Sequence, residues 1–220
     1  MKQRLQVTRN LLRCGVVGGF LFIIVFLILG AAFEGYDPIK HTVSSLAIGR
    51  KGWLQILNFI VVGILFILCA RGMRRMFTGA SGEIWGPRLI ALFGFALIGA
   101  GIFVTDPEFG YPEGTPPGPA KVTTWHGEWH GLFGILLFVT LILACFVFAR
   151  RFWKKSDGLK WAIYSFITGM IVLIFMVLTF NSSAIGLVQI HGVLQKMIII
   201  PGWVWISLLA KRLIKELNEH

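Results

Sequence analysis

The sequence predicts an all-α, polytopic membrane protein: a six-transmembrane-helix bundle forming a single domain over residues 1–220. Three observations carry this reading. Of the 220 residues, 56% are apolar and only 14% are charged. The mean hydropathy of +0.77 is more than the interior of a water-soluble domain this size can hide. The apolar residues also gather in six runs, at about 15–33, 53–70, 87–104, 129–149, 161–180 and 187–210, each near the ~20 residues that cross a bilayer.

The first run follows a basic segment containing Lys2, Arg4, Arg9 and Arg13. Its apolar core from Val16 to Phe33 is longer than a secretory signal and lacks a small-x-small cleavage site, so it is read as a retained helix. Glycines interrupt several of the later runs, as membrane helices tolerate. Between the third and fourth runs, "TDPEFGYPEGTPPGPAKVTTW" holds five prolines, which exclude a helix through its middle. A connection of that length is functional or disordered. Thr123 or Thr124 then caps the fourth helix.

Charge sets the expected topology. Sixteen of the 21 lysines and arginines fall in residues 1–13, 71–88, 150–160 and 211–215. By the positive-inside rule both termini are cytoplasmic and residues 34–52, 105–128 and 181–186 face outward. The formal charge of +11 is therefore read as topology signals and contacts with anionic lipid heads. No basic and aromatic module accompanies it, so nucleic acid is not expected as a partner. Cys14, Cys69 and Cys145 show no CxxC spacing and no disulfide framework, and are read as small buried residues.

Apart from the terminal His220, the histidines all map to the outward third: His41, His126, His130 and His191, joined there by Asp106 and Glu34. In "TTWHGEWHG" the spacing of His126 and His130 places them on one helix face, one turn apart. Imidazole and carboxylate are zinc ligands, and a zinc-bound water with a pKa near 7 attacks esters and amides. The expected cofactor is thus zinc or a similar divalent metal. His126, His130 and His191 or His41 are its candidate ligands, and Asp106 is a ligand or base. Ser44 and Ser45, one turn after His41, are candidates to bond a ligand or an oxyanion. Lys196 lies within an apolar run, where a charge is costly unless it snorkels or pairs with Asp106 or Glu34. Gln195 and Asn181 are read as helix-linking amides. The plain alternative keeps the histidines as hydrogen-bond partners of carbonyls or lipid heads, Asp106 as a loop cap, and Trp53, Trp85, Trp125 and Trp129 as an aromatic belt.

The segment "YDPIKHTVSSLAIGRKGWLQILNFIVVG" resembles the membrane family catalogued as domain of unknown function 998. The resemblance continues through "TDP" with "GYPEGTPPG", "WHGEWHG" and "HGVLQK", and so covers about residues 15 to 210. It implies a six-helix integral membrane protein with its polar motifs on one side, and arginine more often where Lys196 stands here. It supplies no reaction. A more distant similarity in content, a serine, an aspartate and HxxxH, is to membrane lipid hydrolases such as alkaline ceramidases and progestin-receptor-like proteins, which bind zinc with three histidines. The motif order differs and a seventh span is missing.

Three functions compete on this reading. The leading one is a metal-dependent hydrolase or lipid-modifying enzyme of a multi-pass cell-membrane protein, its site facing outward and its partners membrane lipids. The second is a haem-binding redox protein, which HxxxH fits less well because axial ligands face each other across a bundle. The third is a non-catalytic lipid-binding or assembly protein whose polar cluster closes the outer end of the bundle. The oligomeric state is not legible.

Overall fold

In the computed structural model residues 2–77, 84–120 and 122–219 are described, so Lys121 and His220 lie outside the described residues. Among the described residues six helices are long and apolar enough to cross a membrane. They are α1 (Lys2–Ala32), α2 (Trp53–Met76), α3 (Trp85–Ile102), α4 (Trp125–Trp153), α5 (Leu159–Phe180) and α6 (His191–Asn218). Among the described residues there is no strand. The helices outrun the apolar stretches at their basic ends: α1 starts at Lys2, not near residue 15, and α6 continues to Asn218, past residue 210. Lys, Arg, Glu and Gln are good helix formers, so the backbone ladder carries on after the apolar layer ends.

Each helix packs against its chain neighbours, and α6 returns to close on α1, so the six form a ring. Small residues allow the close approaches. At the α2–α3 crossing, a Cβ on Gly63 would stand 2.6 Å from the Gly94 carbonyl oxygen, and the reverse holds for Gly94. Inside the ring, the fully buried Trp203 stacks on Phe22 at 5.2 Å and meets Phe93 edge-on at 4.9 Å.

The two ends of the ring differ in chemistry. At the basic end, Arg9 of α1 donates from Nη2 to Asn218 Oδ1 of α6 at 2.8 Å, joining the first helix to the last. The buried carboxylate of Glu216 gathers Lys155 at 2.7 Å, Arg212 at 3.3 Å and Arg151 at 3.5 Å. At the opposite, motif end, the segment before α2 is tied to the start of α6. The Gly192 and Val193 amides donate to the Lys40 and Ile39 carbonyls, each at 3.0 Å, satisfying donors that a helix start leaves open. A Cβ on Gly192 would collide with the His41 backbone, so the strap needs glycine there.

Lys196 completes this strap, and of the two alternatives the sequence left open, snorkelling or pairing with Asp106 or Glu34, it does not take the second. Its Nζ donates to the Pro38 carbonyl at 2.8 Å, to His41 O at 3.1 Å, to Gly192 O at 3.2 Å and to the Tyr36 hydroxyl at 3.3 Å. Four oxygens replace its hydration shell, so the charge needs neither Asp106 nor Glu34.

The proline-rich connection before α4 is folded as a cap on the motif end. Its Tyr111 ring packs against His41 at 5.2 Å and Tyr36 at 5.6 Å. Phe109 takes a left-handed backbone, φ 54°, uncommon for a residue with a side chain. Bonds on both sides hold it there: its amide donates to Gly118 O at 2.6 Å and its carbonyl accepts from His41 Nε2 at 3.1 Å. The exposed Trp53, Trp85, Trp125 and Trp129 stand at helix starts, where a belt is expected.

Candidate functional site

All six helices and the proline-rich cap contribute to a cavity of about 310 Å³ inside the motif end of the ring. Its upper wall is polar, with Ser44, Glu108, His130, Ser182, His191 and Gln195. Its floor is apolar and aromatic, with Phe22, Phe59, Phe138, Ile199 and Trp203. The buried indole N–H of Trp203 finds no hydrogen-bond partner among the described residues. On α4, Gly131 and Gly134 line the cavity, and a Cβ on either would meet nothing within 4 Å. The wall there is bare backbone, and Thr179 and Phe180 at the end of α5 also line the cavity.

The residues singled out in the sequence divide into those fixed by the protein and those left facing the cavity. His41 belongs to the first group. Its Nδ1 accepts the Asp37 amide at 2.9 Å, which leaves the proton on Nε2 for the Phe109 carbonyl at 3.1 Å. Burial pushes its pKa down, in keeping with this neutral tautomer. Asp106 accepts from the Thr124 amide at 2.9 Å and from the Thr124 hydroxyl at 2.7 Å, and the hydroxyl oxygen accepts Gly127 N–H at 3.1 Å. Thr124 is therefore the N-cap of α4, with Asp106 as its second tier. A Cβ on Gly127 would strike the Asp106 carboxylate, which explains the glycine between the two histidines. Ser45 Oγ pairs with Thr42 Oγ1 at 2.8 Å in the short 3₁₀ turn Ser44–Ala47. Glu34 is exposed beside Arg50 and Lys51 in a separate surface groove.

The HxxxH pair is split. His126 is exposed and packs on Trp125 at 3.9 Å, while His130 turns into the cavity. His130 Nδ1 lies 2.9 Å from the Ala100 carbonyl and 2.7 Å from that of Phe103, so it carries the proton and leaves Nε2 as an acceptor. Those carbonyls end α3, and His130 satisfies them. His191 Nδ1 lies 2.9 Å from Ser182 Oγ, and its ring packs against Phe109 at 5.3 Å. Gln195 accepts the Val43 amide on Oε1 at 2.7 Å, which leaves its NH₂ as a donor. Among the described residues no group of three His, Cys, Asp or Glu side chains is placed to hold a metal ion.

Two cavity residues escape the sequence reading. Glu108 is one of several loop acids with no motif of its own, yet its pKa is pushed up to about 7, first by burial and then by the neighbouring Asp106 charge. Its side chain makes no hydrogen bond to a described residue, so near neutrality it offers an acid proton to the cavity. Ser182 sits in the polar "NSS" turn after α5 and is 2% exposed; its signal was a pair of serines at a helix end, nine residues before a histidine. No lysine or arginine among the described residues lines the cavity.

No curated protein and no solved structure matches the chain. The family described as "Protein of unknown function (DUF998)" matches residues 16–212, from within α1 to near the end of α6, and so includes every strap, cap and cavity residue described above. The chain belongs to the DUF998 family, as an all-helical member with six helices long and apolar enough to span a membrane.

Proposed function

We propose that this protein binds a membrane amphiphile in the interhelical cavity, with the head among the polar groups of the upper wall and the chain against the aromatic floor. The observation that carries this is the layering of one cavity: Glu108, Gln195 and Ser44 above, Phe22, Phe138 and Trp203 below. About 310 Å³ is at the small end of ligand cavities, enough for a head and the first part of a chain. The bare α4 backbone at Gly131 and Gly134 gives the rest of the chain a way out toward lipid. With no lysine or arginine among the described lining residues, the wall favours a head of hydroxyl, amide or ester groups over a phosphate. The concentration of cations at the other end supports an extracytoplasmic site in the cell membrane.

The test is native mass spectrometry of the protein released from detergent, with extraction and identification of what co-purifies. Gly131→Leu and Gly134→Leu add side chains to open space, so both variants should fold and lose the bound amphiphile. Folded variants that carry as much lipid as the parent would refute the reading. Zinc or a similar divalent ion remains a separate proposal, which requires His130, His191 and Glu108 to draw together around it. Elemental analysis of untagged protein tests it, and the absorption spectrum of the same sample tests haem.

A further inference from the structure

Resting on the amphiphile reading, we propose that Ser182 and His191 are a nucleophile and general-base pair that hydrolyses an ester-linked acyl chain of the bound amphiphile. Ser182 Oγ and His191 Nδ1 are 2.9 Å apart, within the range of a working nucleophile–base hydrogen bond. Both residues line the cavity, although Ser182 is almost wholly shielded from outside. The pair is held from two sides. The turn carrying Ser182 is closed by Leu187 N–H on the Ser182 carbonyl at 2.8 Å, and the start of α6 is strapped to residues 39 and 40 through Gly192 and Val193. Phe109 packs on the imidazole.

Gln195, one turn beyond His191 on α6, supplies what such a pair needs next. Val43 N–H fixes its Oε1, so its NH₂ is the donor presented to a developing oxyanion. Neither of the other candidate serines has a base. Ser45 Oγ bonds Thr42, and both nitrogens of His41 are engaged by backbone. No carboxylate bonds His191 among the described residues, so the assembly is a dyad.

In the acylation step Ser182 Oγ bonds to the ester carbonyl carbon while its proton passes to His191 Nδ1, and the carbonyl electron pair moves to oxygen beside the Gln195 amide. Collapse breaks the bond to the ester oxygen, and the departing alcohol takes the proton from Nδ1. A water then adds to the acyl-serine, giving its proton to Nδ1, and the carboxylic acid leaves as Ser182 Oγ regains that proton. The sum is ester and water to acid and alcohol, with no redox change and no other co-reactant.

The experiment treats the full chain in detergent micelles with a long-chain alkyl fluorophosphonate, then maps the modified residue by peptide mass spectrometry. The label should fall on Ser182, vanish in Ser182→Ala, and form at least about tenfold more slowly in His191→Gln, because a positioned base contributes about 10²–10⁴. Native mass spectrometry of Ser182→Ala provides the folding control and should show an intact ester where the parent holds none or its product acid. A folded parent that carries an amphiphile but is unlabelled at Ser182, or is labelled at another serine, overturns the dyad and leaves the binding reading intact. Absence of any amphiphile in parent and Ser182→Ala alike overturns the binding reading, and with it the substrate named here.

Discussion

Glu108→Gln isolates the charge that the cavity least tolerates. The folded chain holds the Glu108 proton up to about 7 against an ordinary value of 4.5, so the folded state binds that proton more tightly than the unfolded chain. Stability from this group is therefore fully present below 4.5, declines as pH rises, and is gone above about 7. At full weight such a difference corresponds to about 3 kcal/mol. Glu108 is only partly buried, and solvent screening reduces the expected effect to about 1–2 kcal/mol. In paired thermal melts in detergent from pH 4 to 8, Glu108→Gln should match the parent at the acid end and exceed it at pH 8, by about 2–4 °C for each kcal/mol. Asp106→Asn, which removes the second cause of the shift, should move the parent's decline to lower pH. A difference between parent and Glu108→Gln that is constant across the range would refute the claim that a neutral carboxylic acid faces the cavity.

The remaining predictions concern the scaffold. Lys196→Met removes all four of these hydrogen bonds and should cost about 2–4 kcal/mol in a denaturant titration, whereas Lys196→Arg should recover part of it. An unchanged midpoint in Lys196→Met would show that the strap does not hold the motif end. Gly127→Ala should lower the melting temperature as strongly as Asp106→Ala, since both displace the carboxylate from the α4 cap, and the double variant should add little to either. Glu216→Ala leaves three cations facing each other at the basic end and should destabilise by about 3–5 kcal/mol, more than any single substitution of its partners. Equal losses on both sides of those pairs would contradict a shared-acid arrangement.

The six helices were legible because a bilayer demands long apolar runs, and composition records that demand directly. The α4 cap was legible to within one residue, as Thr123 or Thr124, for a similar reason: a cap is a local event, and its chemistry sits in adjacent residues. The site was only half legible. Sequence places His41, His126, His130 and His191 at one end of the bundle, but spacing along a helix does not say which face meets the cavity. His126 and His130 are one turn apart, and their different surroundings, Trp125 for one and the end of α3 for the other, come from packing between α3 and α4. The fate of Lys196 was also hidden. A search for a charged partner passes over four neutral oxygens that converge only when the segment before α2 lies against α6.

This division bears on what the motifs are for. The most distinctive residues, His41 in "IKHTVSSLA", Asp106 in "TDP" and Lys196 in "HGVLQK", have their hydrogen-bonding capacity directed at backbone or at a cap. A polar group buried at a membrane-protein end must be satisfied internally, and these three do that for the strap, the proline-rich cap and the start of α4. Their removal should therefore reduce stability first and function only through it. Among the groups with capacity left over are the Glu108 acid, the His130 Nε2, the Gln195 NH₂ and the Ser182–His191 pair, and these border one cavity. If the protein acts on what it binds, substitutions in this second set should cost far more activity than their effect on melting temperature accounts for, Ser182→Ala most plainly. The ratio of lost activity to lost stability then separates the machinery from the frame that holds it, residue by residue.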